Sequence, residues 1–184
     1  MLTFKANYLN SATIQRINIY KSCPKKVSFV EINPTESLDV LAANKIAAKW
    51  DKTGDGTFAH DICRAINRGE KSRFFALTTQ QDTFEKLDYD QILSLAQVKT
   101  EKEDEYEEFI EFLQVDPDNL SSSYYAEFSH IGTAMLDSLK KLFCKKCIGL
   151  NSVRSAIKFY LRNGFKDTGI DVADERRMIW ESAF

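Results

Sequence analysis

The chain has 184 residues, a length that suits one domain with a sizeable core. Hydrophobic residues make up 43% and charged residues 28%, the balance of an ordinary soluble globular protein. Its 25 basic and 27 acidic side chains leave a net charge of −2, without the basic excess that a dedicated nucleic-acid binder carries. The apolar runs are too short to span a membrane, and Met1–Ser11 lacks the long apolar stretch and cleavage site of a secretory signal. Four scattered cysteines, Cys23, Cys63, Cys144 and Cys147, fit a reducing cytoplasm better than a disulfide framework.

In chain order, Thr13–Tyr20 alternates apolar and polar residues as a half-buried strand does, and after Pro24 the run Val27–Ile32 predicts a second strand. Asn33-Pro34-Thr35 is a turn that opens a helix over Ser37–Trp50, and Asp51–Gly56 is a loop by its Gly and Asp content. Phe58–Asn67 is a second helix, closed by Arg68-Gly69. Strands follow at Arg73–Thr79, Ile92–Val98 and Phe109–Val115, joined by a polar connection over Gln80–Asp90 and an acidic turn over Lys99–Glu108. After the polar loop Asp116–Phe128, apolar residues recur at helical spacing through Ile131–Phe143. A short strand at Cys147–Leu150, a helix at Ser155–Asn163 and a strand at Arg176–Trp180 complete the chain. This order implies one mixed α/β domain over residues 1–184, with 1–24 as an N-terminal strand extension. Its front half is antiparallel and its back half βαβ-like.

The stretch Ile110–Phe165 carries the functional signal. A strand runs into a small-residue turn that opens an amphipathic helix. Such a helix start offers unpaired N–H groups and a favourable dipole to an anion, above all a phosphate.

Three segments here are similar, in order and spacing, to the GNAT superfamily of N-acetyltransferases. Leu113-Gln114-Val115-Asp116-Pro117 resembles the family's "L-x-V-x-P" strand end. His130-Ile131-Gly132-Thr133-Ala134-Met135-Leu136 resembles its "G-I-G-x-x-L-L" helix start, which holds the pyrophosphate of acetyl-CoA. Ser152, Ala156, Phe159-Tyr160 and Gly164-Phe165 resemble its "S-x-x-x-A-x-x-F-Y-x-x-x-G-F" last helix. The resemblance covers roughly Val27 to Trp180. It implies an acyl-CoA N-acyltransferase fold, with a mostly antiparallel central sheet flanked by about four helices.

The activity so implied is transfer of acetyl from acetyl-CoA, a co-substrate, to a primary amine by direct attack. By resemblance Tyr160 is the acid that meets the departing thiolate. Glu111, which strict alternation puts on one face with Leu113 and Val115 (and with Glu107 if the strand extends), is the candidate base. Leu113, Gln114 and Val115 would pair with the pantetheine arm as an added strand does. Ser129, His130, Ile131, Gly132, Thr133 and Ala134 would form the phosphate nest, with Ser152 as a further contact.

Two residues depart from the family's phosphate loop. Glu127 stands where Gln or Arg is usual, and His130 stands at the first Gly. A carboxylate repels phosphate, and a side chain limits how closely backbone can approach it. These departures motivate a second reading, a module that kept the fold and lost turnover. A third, acetylation of aminoacyl-tRNA, runs against the net charge. The sequence is compatible with a homodimer and with no membrane partner, and it does not name the acceptor.

Other motifs carry less. Asp51–Thr57 resembles the start of a calcium loop, but Ile62 replaces the bidentate Glu. Cys144-x-x-Cys147 has no second pair to complete a zinc site, so no metal is expected. His60 reads as structural; the resemblance implies that Trp50 and Phe58 border the acceptor site, with core packing as the alternative reading.

Overall fold

A computed structural model describes residues 3, 4, 6–17, 22–35, 37–51, 57–84, 87–100, 106–120 and 126–182. The strands are β1 (Thr3–Phe4), β2 (Ala6–Arg16), β3 (Cys23–Ile32), β4 (Ser72–Thr78), β5 (Leu87–Asp88), β6 (Ile92–Lys99), β7 (Glu108–Val115), β8 (Phe128–Ser129), β9 (Ile148–Val153), β10 (Lys166–Val172) and β11 (Glu175–Trp180). The helices are α1 (Ser37–Trp50), α2 (Thr57–Arg68), α3 (Ile131–Leu142) and α4 (Ile157–Arg162).

Nine strands form one sheet in the order β10-β11-β9-β7-β6-β4-β3-β2-β8. Every pairing in it is antiparallel except β7 with β9, which the α3 crossover makes parallel. The central strands are buried on both faces, which is why Phe74-Phe75-Ala76-Leu77 reads as a continuous apolar run. Phe29, Phe75 and Leu77 pack with Met135, Leu136 and Leu139 of α3, whereas Val30, Phe74 and Ala76 pack with Ile46 of α1 and Ile62 and Ile66 of α2. Helices thus cover both faces of a mostly antiparallel sheet, as the sequence predicts.

The parallel ladder is short. Glu108, Phe109 and Ile110 pair with Ile148, Gly149 and Leu150, and there the ladder ends. Against β6, Gln97 faces Phe112 while Val98 faces Ile110, so Glu111 has no opposite number and forms a β-bulge. From this point β7 and β9 diverge as a V.

Several boundaries differ from the sequence reading. The first long strand is Ala6–Arg16 rather than Thr13–Tyr20, whose last three residues lie outside the described set. A bulge between Tyr8 and Asn10 breaks the alternation that would have revealed its start. Pro24 falls inside β3 rather than ahead of it; as the second residue of the strand it removes only a terminal ladder bond. β10 escapes the apolar pattern because it is an edge strand exposed almost throughout. The last helix is shorter than expected, a 3-10 turn at Arg154–Ala156 leading into α4. The polar loop after β7 contains a 3-10 turn at Pro117–Asn119 and the short β8. Most of the Asp51–Thr57 calcium-loop segment and half of the acidic turn near Lys99–Glu108 lie outside the described residues.

The Asn163-Gly164-Phe165 signature is a helix stop with a full set of caps. Gly164 takes φ +79°, its N–H donates to the carbonyl of Leu161, and the Phe165 N–H donates to that of Tyr160. The Phe165 and Tyr160 rings meet edge to face at 5.6 Å, which completes a Schellman motif and fixes Tyr160. Lys140 of α3 also donates to the Asn163 carbonyl, tying the end of α4 to α3. A Cβ at Gly164 would be sterically almost free, so the strain of Gly164→Ala comes from φ alone. The expected loss is about 1 kcal/mol, read from urea unfolding.

Candidate active site

The V between β7 and β9 opens into a cavity of about 350 Å3. Glu111 and Leu113 line it from β7, Asn151 from β9, Tyr160 from α4, Glu175 from β11 and Phe58 from α2. The bulge at Glu111 reorders the face of β7. Ile110, Leu113 and Val115 belong to the core under α3 and α4, whereas Phe112 packs with the α1 and α2 core and meets Phe58 at 5.5 Å. Strict alternation from Leu113 back to Glu111 and Glu107 therefore does not hold through the bulge.

Tyr160 projects into the gap from the α4 side, its ring edge-on to Phe159 at 5.1 Å. Burial, with a smaller contribution from the Glu175 charge, pushes its hydroxyl up to about 12, so it keeps its proton across the neutral range. Glu175 enters from the opposite side, because alternation along β11 puts Met178 in the α3 core and Glu175 with Arg177 on the other face. Burial first, and then the Glu111 charge, raise the Glu175 carboxyl above its ordinary value. Glu111 pairs with Lys99 at 3.1 Å. Arg177 donates to Asn151 Oδ1 at 2.6 Å and to the Tyr106 hydroxyl, so its guanidinium is held in place beside the cavity. Glu175 and Asn151 are cavity residues that sequence reasoning missed. The strand read at Arg176–Trp180 stops one residue short of Glu175, and its sequence does not say which face would meet the gap.

The residues expected to meet the phosphates lie at and just before the start of α3. The first intrahelical bond joins Ala134 N–H to the His130 carbonyl at 2.9 Å, leaving the N–H groups of Ile131, Gly132 and Thr133 directed outward. Gly132 lies against the Phe159 ring, where a Cβ would come within 3.0 Å, and near Val115 at 3.6 Å. The close approach of α3, α4 and the end of β7 thus runs through Gly132. His130 adopts φ +63°, a left-handed conformation that glycine takes without strain, and its Nδ1 lies 3.0 Å from Ser129 Oγ. Glu127 is turned to Arg16 of β2 at 2.9 Å. Leu113 lines the cavity, Gln114 is buried and donates to the Val115 carbonyl, and Val115 stands beside Gly132. Ser152 is buried, its hydroxyl donating to the Val153 carbonyl at 3.0 Å.

A second, larger groove of about 750 Å3 runs along the strand ends beneath the β7–α3 loop. Two ion pairs line it, Arg16 with Glu127 and Lys49 with Asp90, beside Lys25, Asp116 and Asp118, and Tyr160 is not among its lining residues. Cys144 and Cys147 flank the turn after α3, and no disulfide joins the four cysteines. Among the described residues no group of three or more His, Cys, Asp or Glu side chains is placed to hold a metal, and no helix is long and apolar enough to cross a membrane.

The fold is that of the GNAT acetyltransferases. A structure described as histone acetyltransferase HPA2 and related acetyltransferase from Corynebacterium glutamicum superposes with a TM-score of 0.52 at 14% identity, over 83% of this chain and 96% of that one. A protein assigned to the GNAT family from Desulfovibrio desulfuricans gives 0.54 at 16% identity, over 83% and 96%. A chain of the NatC complex, solved with a Gag peptide and CoA, gives 0.51 at 9% identity, over 85% and 99%. No protein-family model and no curated protein matches the sequence.

The strained His130 gives a direct test of the loop. His130→Gly should stabilise the chain by up to about 1 kcal/mol, since relief of the left-handed conformation exceeds the added entropy of the unfolded chain. Urea unfolding measures it, and a loss instead of a gain would mean the His130–Ser129 contact holds the turn.

Proposed function

We propose that this chain is an N-acetyltransferase that moves acetyl from acetyl-CoA to a primary amine by direct attack. The observation that carries the reading is the V between β7 and β9, with Tyr160 on one side of the gap, Glu175 and Glu111 on the other, and a free helix start at its open end. The residues present fit such a co-substrate. The edge of β7 beyond Ile110 lacks a β9 partner and can pair with the amides of a pantetheine arm. The N–H groups of Ile131, Gly132 and Thr133 can hold the phosphates. The Glu127–Arg16 pair draws the carboxylate's charge away from them.

Acetyl-CoA supplies the activated acyl group as a thioester. The incoming ammonium must lose a proton before its nitrogen can attack, and a cavity carboxylate takes it. As the C–N bond forms and the C–S bond breaks, Tyr160 gives its proton to the sulfur and regains one from the nitrogen. Of the two protons the ammonium loses, one ends on the thiol and one in solvent. The walls of the V hold both reactants at contact distance, which lowers the entropic part of the barrier. No Ser/His/Asp set or activated Cys faces the cavity among the described residues, consistent with attack without an acyl-enzyme. A retained tyrosine and carboxylates in the gap favour turnover over a fold that only binds.

Calorimetry with acetyl-CoA and with CoA tests the reading; absence of binding at millimolar concentration would overturn it. Tyr160→Phe should lower turnover by about 100-fold while CoA affinity changes by less than about twofold. A tyrosine acid works only while protonated, so its activity is lost as pH rises through its pKa. With the hydroxyl pushed up to about 12, the alkaline fall in rate due to Tyr160 should lie near 12 and be missing from Tyr160→Phe.

A further inference from the structure

We infer that the acceptor is a small amine bearing no carboxylate of its own, held as its ammonium by Glu175 with its carbon chain against Phe58 and Phe112. This rests on the acetyl-transfer reading and narrows it to a substrate class. Three observations support it.

The first is charge. Among the described residues the cavity lining includes two carboxylates, Glu111 and Glu175, and no Lys or Arg. Glu111 is already paired with Lys99 at 3.1 Å. Arg176, beside Glu175, is turned to Asp171 at 3.3 Å and Asp167 at 3.7 Å on β10, and Arg177 is committed to Asn151 and Tyr106. Glu175 makes no ion pair among the described residues, so its charge remains for a ligand. An ammonium satisfies it, whereas a ligand carboxylate would face the like charge of Glu175 in a partly desolvated space.

The second is the apolar wall. Phe58, Phe109 and Phe112 line the acceptor side, the Phe58 and Phe112 rings lying 5.5 Å apart. Aromatic faces accept both a hydrocarbon chain and the fringe of a cation. The third is size. At about 30 Å3 for each water-sized group, a cavity of about 350 Å3 has room for on the order of ten non-hydrogen atoms, and the acetyl thioester must share it. That suits a short alkylamine or arylalkylamine, or the tip of a longer amine that extends out of the gap. Because Glu175 and Tyr160 enter from opposite faces, the nitrogen held by Glu175 lies on the side of the gap facing the thiol's proton donor.

The experiment compares butylamine, norvaline and norvalinamide as acceptors by following CoA release. Norvaline is butylamine with a carboxylate on the carbon next to nitrogen, and norvalinamide keeps that bulk without the charge. Norvalinamide should resemble butylamine, and norvaline should be at least about tenfold poorer in kcat/KM. Glu175→Gln, checked for folding by circular dichroism, should raise KM for butylamine by about tenfold, leave KM for acetyl-CoA in place and shrink the norvaline penalty. Equal use of norvaline and norvalinamide, or an unchanged penalty in Glu175→Gln, would overturn the inference while acetyl transfer stands. Calorimetry with butylamine alone separates the opposite case. Binding about tenfold weaker in Glu175→Gln, in a chain that fails to bind acetyl-CoA, would keep the ammonium site and remove the acetyl-transfer reading.

Discussion

The constraint on which everything else depends is that β7 and β9 pair for three residues and no further. A parallel pair would normally continue, because each added residue contributes ladder bonds on strands already aligned. Here the bulge at Glu111 bends β7 away just where its ladder with β9 ends. The closed end of the V is tied on both strands. The Tyr106 ring sits on Gly149 so closely that a Cβ there would lie 2.7 Å away, and the fully buried Glu108 carboxylate pairs with Lys146. A closed end held by packing and charge, and an open end freed by a bulge, build the gap into the sheet itself.

The gap draws its lining from both layers of helices. From one face, α4 contributes Tyr160, held by a Schellman cap and by Lys140 reaching across from α3. From the other, α2 contributes Phe58 and β11 contributes Glu175. A phenol and a carboxylate on opposite sides of a break in a sheet can meet one ligand from two directions without pairing with each other. The raised values of Tyr160 and Glu175 share a first cause, desolvation, and each is increased by a neighbouring carboxylate. The same burial that shapes the cavity therefore raises both groups.

Much of this was legible in the sequence, and what was not has identifiable reasons. The three motifs fell on the elements they implied because each depends on local chemistry. Gly132 allows close approach to Phe159, Gly164 permits a left-handed cap, and the apolar spacing of Ile131–Phe143 fixes the buried face of α3. Bulges were not legible. A bulge is a relation between two strands, and nothing in the run Phe109–Val115 announces that Glu111 lacks a partner. The same blindness hid the start of β2 behind its bulge. β10 was hidden for a different reason, since an exposed edge strand needs no apolar face. Glu175 was missed because its place in the cavity depends on where β11 joins a sheet whose middle comes from residues more than sixty positions earlier.

The two departures in the phosphate loop show why motif residues differ in how freely they can change. Glu127 is oriented by Arg16 and by the backbone bond from the Ile17 N–H to its carbonyl, which pins the loop to β2. The role of the loop is then to deliver the chain to the start of α3, and any side chain that can be turned aside will serve. His130 meets a stricter demand, the left-handed conformation itself, and meets it at a cost in strain. Gly132 meets the strictest, because the Phe159 ring occupies the space a side chain would need. In the proposed reading the phosphates meet backbone N–H groups, which every residue but proline supplies. The requirement on side chains at this end is therefore to be absent at position 132 and out of the way elsewhere. The family pattern keeps its glycine here where a Cβ would crowd the Phe159 ring, and gives way at the two positions where no such crowding is met.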